Sequence, residues 1–207
     1  MRFLVLGCSG MAGHTISIYL KERGHRVVGF SRGGVPFLDE QVVGDARSEA
    51  LIAETLSEGD FDVVVNCVGV LNRYAERDPE GAAYLNGELP HVLARLTEGT
   101  RTRVFHMSTD CVFAGNTGPY TEDSLPDGKT VYDRTKAAGE LRDGKNLTFR
   151  CSIVGPDTDP AGIGLLNWFM AQEGPSGATR ARYGRDSPRW SSPRPWSARL
   201  PRKSAAL

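Results

Sequence analysis

Short apolar runs alternate with longer amphipathic stretches along this chain. The first run, Arg2-Phe3-Leu4-Val5-Leu6-Gly7, is nearly all apolar and ends in glycine, the pattern of a parallel strand buried on both faces. The pattern predicts a helix from about Met11 to Arg23, and a second strand over residues 26–30. Further strands are expected at 41–45, 61–69, 103–108 and 147–154. Helices are expected at 48–57, 79–96, 131–141 and 163–172. Ser48 suits a helix N-cap, and Pro79 suits a first helical turn. Strands that alternate with helices predict an α/β fold, a Rossmann-like doubly wound parallel sheet. Ligands of such sheets sit beyond the carboxyl ends of the strands, where Gly7, Gly69 and Thr109 fall.

The first strand-to-helix turn reads Gly7-Cys8-Ser9-Gly10-Met11-Ala12-Gly13. Gly7 permits a tight turn, Gly10 lets the backbone approach a pyrophosphate, and Gly13 lets the helix pack closely on the strand. The helix N-terminus offers N–H groups and a positive dipole end to phosphate. The spacing G-x-x-G-x-x-G differs from the G-x-G-x-x-G dinucleotide form, and a glycine triplet alone is equally an ordinary turn. Its place between a first strand and a first helix makes it a candidate dinucleotide cradle. The second strand ends at Ser31-Arg32, where an NAD-preferring fold tends to carry an acid for the ribose 2′-hydroxyl. A guanidinium suits a 2′-phosphate instead, so NADPH is expected over NADH. Asp39 or Glu40 reaching back would reverse that preference, and a solvated loop arginine is the bland alternative.

Tyr132 and Lys136 are four residues apart on a predicted helix and share one face. A phenol is a poor acid, with an unperturbed pKa of about 10. A cation beside it favours the phenolate and lowers that value. The hydroxyl of Thr109 or Ser108, at the end of the fifth strand, would hold a substrate carbonyl while Tyr132 gives or takes its proton. Taken alone, a Tyr-x-x-x-Lys pair is more often a packed tyrosine and a solvated lysine. Thr109 also suits a loop cap, and Asp110 an ordinary turn. The glycine turn and the Ser-Thr-Asp strand end together favour the catalytic reading.

The 207 residues carry no net formal charge, which points to neither nucleic acid nor membrane as partner. The sequence has no run of about 18 apolar residues, and the N-terminal run ends in glycines rather than a secretory cleavage site. Cys8, Cys67, Cys111 and Cys151 lack C-x-x-C spacing and fall at predicted strands. They read as reduced thiols of a cytoplasmic protein. No metal site is expected. His14, His25, His91 and His106 form no ligand pattern and read as surface or packing residues. The last stretch differs: from Pro175 to Leu207 there are seven Arg and one Lys against the single acid Asp186, with five prolines and no apolar period. The expected organisation is therefore a dinucleotide-binding domain over 1–174. The segment 175–207 is expected to be disordered or a non-native ending, such as a shifted reading frame.

Taken together these residues resemble the extended short-chain dehydrogenase/reductase superfamily, most of all its dTDP-4-dehydrorhamnose reductase branch. The supporting motifs are the Gly7/Gly10/Gly13 turn, Asn66-Cys67-Val68-Gly69, Ser108-Thr109-Asp110-Cys111-Val112-Phe113-Ala114-Gly115, Tyr120-Thr121-Glu122, Tyr132-Asp133-Arg134-Thr135-Lys136 and Arg150-Cys151-Ser152-Ile153-Val154-Gly155. The resemblance covers about residues 1–172. It implies an NAD(P)-dependent reductase of a 4-keto-6-deoxy nucleotide sugar, with Thr109, Tyr132 and Lys136 as catalytic triad. By the same likeness Gly10, Met11 and Ala12 contact the pyrophosphate, Asp45 and Ala46 lie by the adenine, and Cys67, Val68, Gly69 and Val70 follow the adenosine ribose. Lys136 also reaches the nicotinamide ribose, and Asp110 the sugar. The implied partners are a nucleotide-sugar substrate and, in assembly, a homodimer.

Two departures stand out. Asp133 occupies a position where the family usually has glycine, and it is expected to point to solvent. The family's C-terminal portion, which builds most of the sugar-nucleotide pocket, is replaced by the basic tail. A nucleotide-sugar epimerase on the same scaffold is the nearest alternative, although the missing acid after the second strand disfavours it. A 4,6-dehydratase fits less well, because Cys111 stands where those relatives carry a second acid. A non-catalytic dinucleotide-binding regulatory subunit, like that of methionine adenosyltransferase, is the alternative from another class.

Overall fold

A computed structural model describes residues 1–155 and 165–171. Six strands, β1 (Arg2–Leu6), β2 (Arg26–Ser31), β3 (Glu40–Val43), β4 (Val63–Asn66), β5 (Arg103–Ser108) and β6 (Leu147–Arg150), form one sheet. All neighbouring pairs are parallel, in the order β3-β2-β1-β4-β5-β6. The chain winds outward from β1 to β3, then returns to the other side of β1 for β4. That reversal opens a crevice at the carboxyl ends of β1 and β4.

Alternation along β1 shows why the strands read as continuous apolar runs. Leu4 and Leu6 pack on one face with Phe30, Ile52, Val64 and Leu93. Phe3 and Val5 pack on the other with Val27, Val63 and Val65. Burial on both faces needs apolar residues at every position, so the period-2 signal disappears.

The helices are α1 (Met11–Glu22), α2 (Glu49–Gly59), α3 (Asn72–Arg77), α4 (Pro79–Ala82), α5 (Leu89–Leu96), α6 (Val131–Ala138) and α7 (Leu165–Met170). Ser48 caps α2, accepting from the Leu51 N–H, as expected. Helix α3 has no counterpart in the sequence expectation. The stretch expected as one helix over 79–96 is interrupted by a π-helical turn at Ala83–Glu88. Pro90 accounts for part of this. It has no N–H to give to the Asn86 carbonyl, so the helical ladder cannot continue regularly there. The Asn86 carbonyl faces Gly139 instead, where a Cβ would stand only 2.0 Å from it. This contact explains why α6 stops at Ala138 rather than at Leu141. Leu141 is drawn off the helix by Thr148, whose hydroxyl accepts from its N–H at 2.9 Å and donates to its carbonyl at 3.1 Å.

β5 covers the expected 103–108, whereas β4 and β6 are shorter than their apolar runs. β4 ends at Asn66, whose side chain accepts the Val68 N–H at 3.1 Å and turns the chain. β6 ends at Arg150, and residues 151–155 adopt no regular structure. The expected 163–172 helix is seen as α7, with both expected ends outside the described residues. The segment 175–207 also lies outside them. No helix among the described residues is long and apolar enough to cross a membrane.

Candidate functional site

The glycine turn forms the floor of the crevice. Gly7 has φ +76°, and a Cβ on it would meet the Cys67–Val68 peptide at 3.0 Å. Its N–H donates to Phe30 O at 2.8 Å, and its carbonyl accepts from Gly10 N at 3.0 Å. A Cβ on Gly13 would lie 2.1 Å from that same carbonyl, so α1 rests directly on the turn. Gly10 is the extended N-cap of α1, and no side chain caps the helix. A Cβ on Gly10 would make only an ordinary 3.5 Å contact. The fold therefore requires glycine at 7 and 13, while the demand at 10 comes from whatever approaches the helix end.

A cavity of about 550 Å³ opens above this turn. Gly7, Gly10, Ser31, Arg32, Asp45 and Ala46 line it, and so does the whole loop from Cys67 to Val70. Ten of the expected cofactor residues thus share one groove. Met11, Ala12 and Gly13 stand beside it in α1, and Tyr132 and Lys136 lie outside its lining. Arg47 and Tyr74 line it too, without an expectation from sequence. Arg47 is ion-paired with Asp78 at 3.2 Å, and its N–H donates to Asp45 Oδ1 at 2.9 Å. Neither acid that would have favoured NAD reaches back. Asp39 pairs with Lys21 at 3.0 Å, and Glu40 pairs with Arg2 and Arg26.

Two buried asparagines hold the 67–70 loop. Asn66 accepts from Val68 N–H. Asn86, in the π-helical turn, accepts from Val70 N–H at 2.8 Å and donates to Val70 O at 3.0 Å. Asn86 also donates to Thr135 Oγ1 at 3.1 Å, which joins the loop to α6. Both side chains are fully buried. Asn86 carries no motif in sequence, because its role follows from the irregular helix that presents it.

Helix α6 is fixed at both ends. Thr130 accepts from Asp133 N–H, and the Asp133 carboxylate accepts from Thr130 N–H and Lys129 N–H, each at 3.1 Å. Asp133 therefore caps its own helix, so it neither points freely to solvent nor faces Lys136. Glu76, next to last in α3, accepts the Val131 N–H at 2.9 Å. Lys136, one helical turn beyond Tyr132, is only 4% exposed. It donates to Met107 O at 2.7 Å and lies 3.3 Å from His106 Nε2.

Thr109 is buried at the end of β5 and caps a short 3₁₀ turn, Asp110–Val112, by accepting the Cys111 N–H at 3.1 Å. Tyr132 is half-buried. Burial pushes the Tyr132 phenol above its usual range. Thr109 opposes this, while Cys111, Asp110 and Asp133 add to it. The sequence expectation of a lowered phenol is thus reversed in direction. Burial is the largest cause, and the Lys136 ammonium group is engaged with a strand-end carbonyl rather than the phenol. Burial also lowers Lys136 to about 8. Asp110 is exposed beside Thr109 and accepts from its hydroxyl at 3.3 Å.

Ser108, the other substrate candidate, is engaged elsewhere: its hydroxyl donates to the buried Glu140 at 3.1 Å. Glu140 receives a bidentate pair from Arg150, both contacts 2.7 Å, and Arg142 adds a third. Arg150 lies over the Phe113 ring, which stacks on Tyr120. The pair thus ties β6 to the loop that follows Thr109. Tyr120 and Glu122 line a separate cavity of about 780 Å³ beside β6, one that none of Thr109, Tyr132 and Lys136 lines.

Burial raises the Glu140 carboxyl, but Arg150, Ser108 and Arg142 outweigh it and hold the group below the usual carboxylate range. A group with a depressed folded value stabilises the fold above its unfolded pKa of about 4.3 and loses that contribution as pH falls through the folded value. Glu140→Gln, which leaves the half-buried Arg150 guanidinium without its carboxylate, should cost about 1–3 kcal/mol at neutral pH. Urea melts should show the deficit shrinking as the wild type acidifies. A deficit independent of pH would contradict the assignment.

Comparison with known proteins bears on the whole arrangement. The curated relatives include a dTDP-4-dehydrorhamnose reductase of Streptomyces griseus, 38% identical over 141 residues, covering 67% of this chain and 43% of the relative. Methionine adenosyltransferase 2 subunit beta of Xenopus laevis is 30% identical over 142 residues, covering 67% and 41%. The chain thus spans less than half the length of these two relatives. Among solved structures, a hypothetical dTDP-4-dehydrorhamnose reductase from Sulfolobus tokodaii superposes with a TM-score of 0.64 at 27% identity, covering 72% of this chain and 55% of that one. A family model, the RmlD substrate binding domain, matches residues 1–154. With three quarters of its length inside that match, and with the parallel sheet and glycine turn already described, the chain belongs to the RmlD substrate-binding-domain family.

Proposed function

We propose that this protein is an NADPH-dependent reductase of a 4-keto-6-deoxy nucleotide sugar, acting as dTDP-4-dehydrorhamnose reductases do. The observation that carries the reading is a groove shaped for a dinucleotide, floored by the Gly7 turn and lined by Arg32, Asp45 and the Cys67–Val70 loop. The glycine floor fits such a ligand. Side chains are excluded at 7 and 13 by contacts within the fold, and the helix end at Gly10 is uncapped and open to phosphate. Arg32, exposed on the groove wall, suits a 2′-phosphate, and both nearby acids are held in other ion pairs.

The nicotinamide cofactor, when bound, supplies the hydride. The chain's own residues do the rest. The Thr109 hydroxyl donates to the sugar carbonyl oxygen and stabilises its developing charge. Tyr132 delivers the proton from its Oη to that oxygen. A phenol held above its usual range is fully protonated at neutral pH, which is the state a reduction needs. Lys136 holds the cofactor ribose. Ser108 keeps β5 in register with Glu140 and leaves Thr109 to act alone. Asp110 is exposed next to Thr109 and is the nearest acid to meet the sugar.

The direct test is to incubate the chain with NADPH and a dTDP-4-keto-6-deoxyhexose and follow nicotinamide absorbance. Oxidation of NADPH that requires the keto sugar supports the proposal. Dinucleotide binding without turnover would favour the regulatory-subunit reading, which the methionine adenosyltransferase relative keeps in view. Cofactor choice has its own test. A charged hydrogen bond to a 2′-phosphate contributes roughly 1.5–3 kcal/mol, so Arg32→Ala should weaken NADPH binding about 10- to 100-fold. NADH affinity should be almost unchanged. Equal losses for both would remove Arg32 from phosphate recognition.

A further inference from the structure

The groove has two unlike parts. Near Gly10 it offers the open end of a helix. Elsewhere Phe30, Ala46, Val68 and Leu85 line it, and these four share one apolar cluster of the core. An apolar floor between polar walls suits a flat aromatic base. Arg47 directly follows Ala46 and lines the groove as well. Its guanidinium donates to Asp78 Oδ2 at 3.2 Å. Arg47 lies in the turn between β3 and α2, while Asp78 ends α3, the helix after β4. In the sheet, β2 and β1 lie between those two strands. The ion pair therefore joins the two walls of the groove at its apolar part.

Both partners are held in place. The Arg47 N–H donates to Asp45 Oδ1 at 2.9 Å, which fixes the backbone from which the side chain leaves. Asp78 caps α4 by accepting the Gly81 N–H at 2.9 Å. A Cβ on Gly81 would stand 2.6 Å from Arg47 Nη2 and 2.1 Å from Asp78 Oδ2. The pair thus rests against the first turn of α4, in a notch that glycine leaves open. Tyr74, one turn before Asp78, lines the same groove and is 45% exposed. Stability does not account for the pair. Both side chains are about half exposed, and an ion pair in that setting contributes little to folding.

We propose, building on the reading of the groove as a dinucleotide site, that Arg47 binds the adenine base there: Asp78 holds its guanidinium by one edge, and the plane covers the base on its apolar floor. A guanidinium is planar and weakly hydrated, and it stacks on aromatic faces. A carboxylate bonds it through edge N–H groups, which leaves a face of the plane for a ring. Arg32 and Arg47 then divide the work. Arg32 reads the 2′-phosphate that distinguishes NADPH from NADH. Arg47 reads the base that both carry, so it adds affinity without selectivity. Were Arg47 a phosphate ligand instead, the phosphate would have to displace Asp78 from it.

Calorimetric titration of the full chain with ADP, NADH and NADPH tests this without turnover. Arg47→Ala should weaken all three by the same factor, roughly 3- to 30-fold, and leave the ratio of NADPH to NADH affinity unchanged. Asp78→Asn keeps an oxygen to cap α4 but loses the charge that holds the guanidinium. It should weaken ADP binding roughly 2- to 10-fold, the cost of ordering a freed side chain. Both variants should melt within about 4 °C of the parent. Unchanged ADP affinity in either variant overturns the proposal. A loss confined to NADPH in Arg47→Ala overturns it too, as does NADPH binding that tightens in Asp78→Asn, because both mark a 2′-phosphate ligand. So does an equal loss of inorganic pyrophosphate binding in Arg47→Ala. A parent chain that binds no ADP overturns this proposal and the dinucleotide reading together. ADP binding that depends on Arg47, in a chain that reduces no keto sugar, supports the proposal and counts against the reductase reading alone.

Discussion

Tyr132→Phe is expected to abolish keto-sugar reduction while leaving NADPH binding intact. The substitution removes one oxygen from a half-buried ring and little else. General acid catalysis by a positioned group contributes roughly 10²–10⁴-fold. Asp110, beside Thr109, accepts a hydrogen bond from that hydroxyl rather than donating one. The fall should appear in kcat rather than KM, because the phenol acts on the oxygen as it gains charge. Dinucleotide affinity, measured by fluorescence or calorimetry, should change by no more than about tenfold, since a lost neutral hydrogen bond contributes about 0.5–1.5 kcal/mol and the phenol lies outside the groove lining. Residual turnover within tenfold of the parent would move the acid to another residue. Thr109→Val should be less severe, because Tyr132 would keep its proton while the oxyanion loses one donor. It should also loosen the 3₁₀ turn that Thr109 caps.

The pKa directions give the pH profile of that reaction. The phenol is raised by burial, so the acid form persists through neutral and mildly alkaline pH. Burial lowers Lys136 to about 8, so the alkaline limb of kcat/KM should report Lys136 before Tyr132. A limb that disappears in Lys136→Met but survives in Tyr132→Phe, read in the residual activity, would confirm that order.

Much of this site was legible in the sequence because parallel strands advertise their ends. Gly7, Gly69 and Thr109 could be placed at one crevice from apolar runs alone, since the hydrophobic signal stops where the sheet stops. The Ser48 cap acts over three residues and is equally local. The features that escaped are those decided by partners far along the chain. Glu140 and Arg150 form a buried pair only because α6 ends early and β6 runs back beside it. That pair is what draws Ser108 away from the substrate side. The π-helical turn depends on Pro90 freeing a carbonyl and on Gly139 accepting it, two residues 49 positions apart. Lys136 read as a cation held beside Tyr132, but its side-chain nitrogen is buried against Met107 and His106, so the expected lowering of the phenol does not follow. No spacing rule carries the desolvation of a side chain. His106 read as a packing residue for the same reason: its partners, Asn66 and Lys136, come from other elements.

The glycine turn allows fold and cofactor to be separated by two substitutions three residues apart. At Gly13 a new Cβ would lie 2.1 Å from Gly7 O and 2.7 Å from Gly7 C, both backbone atoms that cannot rotate away. Gly13→Ala must therefore push α1 off the turn, at a cost of about 1–3 kcal/mol for overpacking, and distort the floor of the groove as it does so. Both thermal stability and dinucleotide binding should suffer, with affinity down by a hundredfold or more, on the order of 3 kcal/mol. At Gly10 the same Cβ would find only Gly7 O at an ordinary 3.5 Å. Gly10→Ala should fold with stability within about 0.5 kcal/mol of the parent, as a surface change does. It should still lose dinucleotide affinity by roughly tenfold or more, because the methyl group stands where the pyrophosphate must approach the helix end. Melting curves and a dinucleotide titration on the two variants decide the matter. A Gly10→Ala protein that binds NADPH as tightly as the parent would show that the uncapped end of α1 is not the phosphate site. The groove's other polar wall, Arg32, Asp45 and Arg47, would then have to take that role.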